Sequence, residues 1–183
     1  MRILGIAGSL RAASFNRRLL RQSARLLPDG VQWEVWDGLA TIPPFNEDHE
    51  ADPGPAVEQF RAAISRADRV LIATPEYNGG IPGQLKNALD WASRPAGHGA
   101  LAGKLVAVIG ASPGRYGASR SQAQLRDVLR NSRAQVVEAG LAVPTAHEQF
   151  DDEGHLTDPA LISQLGEVLR ALVAGEVPAV TPG

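Results

Sequence analysis

The chain has 183 residues, 44% hydrophobic and 21% charged, which suits one domain with a single sizeable core and excludes disorder as the default. Its formal net charge of -2 gives no basic field for nucleic acid, and the arginines of "RRLLRQSAR" spread around a helix rather than aligning. Cysteine is absent, which rules out disulfides, iron–sulfur clusters and thiol nucleophiles and fits a reducing compartment.

The first apolar run, "RILGIA" (2–7), reads as a strand rather than a signal peptide, because it moves at once into glycine and arginine without a cleavage site. A polar turn, "GSLRAASFN" (8–16), leads from it into a helix. "VQWEVW" (31–36) alternates, with Val31, Trp33 and Val35 on one side, and reads as an edge strand. The stretch 37–56, rich in Pro, Gly and acid groups, reads as a long surface loop.

Val57, Phe60, Ile64 and Ala67 then follow helical spacing, as do Leu85, Leu89 and Ala92, and Leu125, Val128 and Leu129. Between these helices lie the strands "RVLIAT" (69–74) and "KLVAVIGA" (104–111). "AQVVEAGLAV" (134–143) is a fifth strand, and Leu161, Leu165, Val168 and Leu172 make a terminal helix. Residues 1–175 are expected to form one domain and 176–183 a flexible tail. No apolar run approaches the ~20 residues that span a bilayer, so a soluble cytoplasmic protein without membrane contact is expected.

The first, third and fourth runs are nearly continuous Ile, Leu, Val and Ala, as when both faces of a sheet are covered. Strand–helix alternation predicts a doubly wound α/β fold with a five-stranded parallel sheet, order 2-1-3-4-5. In such sheets ligands sit beyond the carboxyl ends of the strands. There "GSLRAASFN", "PEYNGGIPGQ" (75–84) and "SPGRYGASR" (112–120) converge on one crevice.

The opening turn lacks GxxxxGK[ST] and a lysine, so it is not a P-loop. It also lacks the third glycine of a dinucleotide turn, although Asp37 is a weak candidate for a ribose contact. What remains is a monophosphate cradle. Ser9 and Ser14 offer hydroxyls, Asn16 an amide and Arg11 a planar fork, with helix N–H groups behind them. The plainer alternative is that Ser14 only caps the helix and Arg11 is solvated.

"GSLRAASFN", "TPEYNGGIPGQLKNALDW" (74–91) and "SPGRYGASRSQAQLR" (112–126) together resemble the NADPH-dependent FMN reductases of the flavodoxin-like fold. That family includes quinone, chromate and azo-dye reductases, and the resemblance covers residues 2 to about 145. It implies an FMN-dependent oxidoreductase that takes electrons from NADPH or NADH and passes them to a quinone, azo, chromate-like or flavin acceptor. It implies that Ser9, Arg11, Ser14 and Asn16 hold the FMN phosphate, with Phe15 in the same turn. Pro75, Glu76, Tyr77, Asn78 and Gly79 are implied along the isoalloxazine ring, and Ser112, Gly114 and Gly117 at its other edge.

No catalytic acid, base or nucleophile is expected, since flavin N5 carries the hydride. A homodimer or homotetramer is implied by resemblance, with apolar surface near Trp91 and the loop 37–56 as candidate contacts. Lys86 and Asp90, four apart, are expected to pair on a helix. Arg115 and Tyr116 are open between ligand contact and simple exposure, and Arg120 between these and a subunit interface. Where the family carries Gly-Gly, this chain has Gly117-Ala118, and the added Cβ is expected to narrow the approach of backbone to ligand or partner. His49, His98, His147 and His155 show no metal-ligand spacing and read as surface residues. Two rival readings are a flavodoxin-type electron carrier without nicotinamide turnover and a cofactor-free binding module of the same fold.

Overall fold

The computed structural model describes residues 1–176, so the expected tail lies, apart from Glu176, outside the described residues. Five parallel strands, β1 (Arg2–Ala7), β2 (Gln32–Trp36), β3 (Arg69–Thr74), β4 (Leu105–Ala111) and β5 (Gln135–Val143), form one sheet in the order β2-β1-β3-β4-β5. This is the predicted flavodoxin-like topology. Its helices are α1 (Phe15–Leu26), α2 (Pro55–Arg66), α3 (Gly83–Ala92), α4 (Ser119–Asn131) and α5 (Pro159–Ala174).

Side chains of a strand alternate between the two faces of a sheet, and here both faces are dry. Leu4, Ile6, Val70, Ile72, Val106 and Val108 meet Phe60, Leu85, Leu89 and Leu125 of α2, α3 and α4. Ile3, Leu71, Ala107 and Ile109 meet Leu19, Leu20, Leu165 and Leu169 of α1 and α5 on the opposite face. Each fully buried Leu or Ile contributes about 1.5–3 kcal/mol over an exposed one, so the central strands are the best-anchored elements. β2 pairs only with β1, as an edge strand should, and Trp33 lies across Gly5, where an added Cβ would meet the indole at 2.7 Å.

Residues 37–56 run mostly over the surface, as their composition predicts. Two short 3-10 turns, Gly38–Thr41 and Glu47–His49, interrupt them, and Leu39 and Ile42 are buried. The segment is tied to α3 by side chains. Gln84 donates to the carbonyls of Leu39 and Ile42 (2.8 and 2.9 Å), and Asn87 accepts from Phe45 N–H (2.7 Å) and donates to the Pro43 carbonyl (2.8 Å). Trp91 is only 1% exposed, donates to the same Pro43 carbonyl and meets the Phe45 ring edge-on at 4.8 Å. Trp91 is therefore closed over within the chain. Lys86 and Asp90 pair at 2.6 Å as expected.

Candidate functional site

The three polar segments do leave the same end of the sheet, and each is held by a different device. The first begins at Gly8, whose N–H extends the pairing of β1 with β3 by donating to the Ala73 carbonyl (2.8 Å). A Cβ there would meet the end of the Leu85 side chain at 2.8 Å, so any larger residue would require Leu85 to move. The chain then turns. Ser14 N–H donates to the Arg11 carbonyl (3.2 Å), and Ser14 Oγ caps α1 by accepting from Asn16 N–H (3.2 Å). The N–H groups of Ala12, Ala13 and Phe15 find no acceptor among the described residues, so they remain available at the positive end of α1.

Ser9 is 4% exposed, and its Oγ accepts from Arg11 N–H (3.3 Å) and lies 3.4 Å from Tyr77 Oη. Asn16, which also lines the crevice, is held by backbone. Its Nδ2 donates to the Ala111 carbonyl and its Oδ1 accepts from Ala111 N–H, both at 2.9 Å, so the side chain bolts α1 to the end of β4.

The second segment contains a feature that the sequence displays openly. Tyr77 and Gly80 exchange two backbone hydrogen bonds at 3.1 Å around Asn78-Gly79, whose φ values are 52° and 80°. Asn-Gly between paired residues is the signature of a two-residue hairpin turn with both central residues left-handed. Glu76 does not point to solvent. Its Oε2 accepts from the N–H groups of Arg120 (3.0 Å) and Ser121 (3.2 Å) at the start of α4.

The third segment is pinned from a place that sequence reasoning did not single out, the chain just after β5. Thr145 N–H donates to the Gly114 carbonyl (3.2 Å) and Ala146 N–H to the Ser112 carbonyl (3.0 Å). Gly117 is buried with φ 55°, and a Cβ there would strike the backbone of Ala142, Val143 and Pro144 at 2.8 Å. Its glycine is demanded by β5, not by the crevice. Ala118, φ 66° and 1% exposed, likewise turns inward, towards Gly110. The expectation that its Cβ narrows the approach to a ligand is overturned, because the methyl group lies in the core.

Where the segments meet, a narrow cleft of about 60 Å³ is lined by Ser9, Arg11, Ser14, Phe15, Asn16, Pro75, Glu76, Tyr77 and Ser112, together with Ala111 and Pro113. Asn78, Gly79, Gly114 and Gly117 are not part of its lining. Pockets that enclose a whole cofactor run to about 300 Å³ or more, so this cleft suits a phosphoryl end, with a flat ring lying outside on exposed surface. A larger cleft of about 470 Å³ lies between Lys86 and Arg133, but none of the three segments reaches it.

Electrostatically the crevice is cationic in a chain of net charge -2. Arg11, Arg115 and Arg120 form no ion pair among the described residues, and the nearby carboxylate, Glu76, is occupied by α4. The guanidinium groups of Arg115 and Arg120 both lie over the Tyr116 ring, 4.6 and 5.2 Å from its centre. Asp37, the ribose candidate, pairs with Arg17 instead. Among the described residues no group of His, Asp or Glu is arranged to hold a metal ion, and no helix is long and apolar enough to cross a membrane. His49, His98 and His147 are exposed, whereas His155 is half-buried against Asp151.

The donor set fits FMN. Two serine hydroxyls, a free guanidinium and unpaired N–H groups at a helix start match a phosphate ester of nearly two negative charges. Comparison with known proteins points the same way. A family model described as NADPH-dependent FMN reductase matches residues 1–148. An NAD(P)H-dependent FMN reductase of Pseudomonas aeruginosa is 40% identical over 179 residues, 94% of this chain and 93% of that one. A quinone reductase of Pseudomonas putida is 40% identical over 157 residues, 84% of this chain and 83% of its own. Among solved structures, the flavoenzyme NAD(P)H:(acceptor) oxidoreductase FerB of Paracoccus denitrificans superposes with a TM-score of 0.85 at 32% identity, covering 94% of this chain and 95% of that one.

Proposed function

Because the chain belongs to the NADPH-dependent FMN reductase family, we propose that its crevice is the FMN site of a reductase for quinone-like acceptors. The protein is an FMN-dependent oxidoreductase that takes electrons from NAD(P)H and delivers them to a small molecule. When bound, FMN supplies the hydride and electron transfer between reduced nicotinamide and acceptor. The chain's own residues bind and orient.

Ser9 and Ser14 offer hydroxyls to the phosphate, Arg11 offers its fork, and the first N–H groups of α1 complete the cradle. Asn16 acts one step back, by fixing the turn to Ala111. The Tyr77–Gly80 hairpin presents backbone and Tyr77 to the ring, while Ser112 and Gly114 border its other edge. Gly117 serves by letting the third segment lie on β5.

Azo, chromate-like and flavin acceptors belong to the same proposal, since an open crevice without an enclosing pocket selects weakly by shape. A homo-oligomer is proposed with its contact on the crevice rim, where Leu10, Tyr77 and Tyr116 are about half exposed. The one-domain reading of residues 1–175 is supported by a sheet that all five helices share, and a cytoplasmic location by the lack of cysteine.

The observation that carries this reading is the meeting of Ser9, Arg11 and Ser14 with Pro75, Tyr77 and Ser112 on one cleft. It is tested by adding FMN to the flavin-free protein and then NADPH without oxygen. A raised melting temperature and rapid bleaching of the visible absorbance are expected. Bleaching that fails with flavin bound would make the chain an electron carrier. Protein that stays colourless would make it a cofactor-free module.

A further inference from the structure

α4 starts without a cap of its own. The residue at its N-cap position, Ala118, is left-handed and has no side-chain acceptor for the first N–H groups of the helix. The acceptor comes instead from a residue 44 positions before Arg120, the Glu76 carboxylate, which takes the N–H groups of Arg120 and Ser121. An anion at a helix start answers both the unpaired donors and the positive end of the dipole.

The first turn of α4 returns the contact twice. Ser121 Oγ, fully buried, donates to the Pro75 carbonyl (2.8 Å) and lies 3.0 Å from Thr74 Oγ1. Gln124 Oε1 accepts from Ile81 N–H (2.9 Å) at the far end of the hairpin. The hairpin 75–81 is thus gripped at its start by Ser121, through Glu76 next to its turn, and at its end by Gln124.

We propose that Glu76 is a positioning residue for cofactor binding: its carboxylate caps α4 and thereby locks the hairpin and the third segment, 112–118, into one unit before FMN arrives. The proposal rests on the reading of this crevice as the FMN site. It assigns the acidic residue of the "PEYN" stretch a side-chain role that involves no contact with the flavin. Without the cap, FMN binding has to order two segments that the native chain presents already ordered, and that cost appears in affinity.

The test compares FMN affinity, read by quenching of flavin fluorescence, and the visible circular dichroism of the bound flavin, in Glu76→Ala, Glu76→Gln and Asp158→Ala. Asp158 caps α5 by accepting from Ala160 N–H (2.8 Å), so its loss removes a cap of the same kind away from the crevice. Glu76→Ala is expected to raise the Kd for FMN about ten-fold and to alter the dichroism, in line with one capping interaction. Glu76→Gln keeps an oxygen for the two N–H groups and is expected to return the Kd to within about two-fold of the native value. Asp158→Ala is expected to lower Tm and leave both flavin readouts unchanged.

Native affinity in Glu76→Ala, equal weakening in Asp158→Ala, or no rescue by glutamine would each overturn the proposal. Should Glu76→Ala not fold, Gln124→Ala reads the same clamp from its other end and is expected to weaken FMN binding likewise; unchanged affinity there counts against it. Native protein that does not bind FMN at all sinks the site reading and takes this proposal with it.

Discussion

Asn16 and Ala111, 95 residues apart, form a closed ring of two hydrogen bonds: the carboxamide of one takes both backbone groups of the other. The pair lies where α1 begins and β4 ends, directly beneath the cleft. Only a carboxamide can donate and accept at once in this geometry, so the residue type is set by the backbone of β4.

Asn16→Ala is accordingly expected to be a stability variant. It strands a buried N–H and a buried carbonyl, each worth about 1–3 kcal/mol when left unpaired. The flavin-free protein should unfold at clearly lower urea. A native urea midpoint in Asn16→Ala would mean that water replaces the side chain at no cost.

Arg11→Ala should behave in the opposite way. Arg11 is exposed and pairs with no carboxylate among the described residues, so its loss leaves nothing stranded in the flavin-free chain. Hydrogen bonds to a charged partner contribute about 1.5–3 kcal/mol, which corresponds to a Kd for FMN raised by about ten-fold to a hundred-fold. Tm without flavin should not move. If FMN affinity also stays put, the phosphate lies elsewhere.

Gly79→Val tests the hairpin. Gly79 sits at φ 80°, with open space around it apart from Arg120 at 3.9 Å, so the obstacle is the backbone and not a clash. A β-branched residue in the left-handed region costs more than the roughly 1–2 kcal/mol usual for an L-residue, and the turn should yield rather than bear it. Flavin reduction by NADPH in stopped flow is expected to slow or the flavin to be lost on gel filtration. Native kinetics would place the hairpin away from the ring.

Arg126 is a structural cation that composition alone does not reveal. The pairing of β4 with β5 slips between Val106–Val136 and Val108–Gly140, and slips of this kind leave carbonyls without ladder partners. From α4 the half-buried guanidinium reaches these groups, donating to the carbonyls of Val137, Ala139 (3.2 Å) and Val108 (3.4 Å). Gly140 leaves it room, since a Cβ there would meet Nη2 at 2.5 Å. Burial draws the guanidinium pKa down from its ordinary value, while Glu138 opposes the shift. Arg126→Leu should cost about 2–4 kcal/mol in urea unfolding, and Arg126→Lys should recover only part, because one ammonium cannot span the fork. Full recovery by lysine would reduce the role to charge.

Much of the fold could be read from the sequence because it rests on short-range pattern. The unbroken apolar runs of β1, β3 and β4 and the spacing of Phe60, Leu89 and Leu165 need no tertiary knowledge. The three segments of the crevice were legible for the same reason, since strand order alone places them together. What could not be read are side chains that bind distant backbone. The hold of Asn16 on Ala111 is of this kind, because its partners are a carbonyl and an amide of alanine, and every alanine has those. Composition shows 37–56 as surface chain but not its anchoring, in which Leu39, Ile42 and Phe45 pack inward and Gln84, Asn87 and Trp91 bind its backbone. Ala118 looked like an obstruction because a Cβ has a direction that a sequence does not state.

The segment after β5 makes acid stability a measurable property of the site. Asp151 accepts from His155 N–H (2.7 Å), and its carboxyl pKa is drawn below the usual value, first by this backbone hydrogen bond, with the His155 ring 3.2 Å away adding to the shift. A carboxylate with a depressed pKa in the folded state contributes stability that is complete above its unfolded pKa, about 3.9, and is lost as pH falls through the lower folded value. Below both values the contribution is gone. Native protein should therefore melt higher than Asp151→Asn near neutral pH, and the gap should close only below about pH 4. The adjacent Phe150 stacks on Phe15 at 5.9 Å, at the first turn of α1, so the same acid range should also loosen the turn that opens α1. Thermal melts of both proteins between about pH 7 and about pH 2 check this, and a gap that stays constant across the series would show that Asp151 acts without its charge.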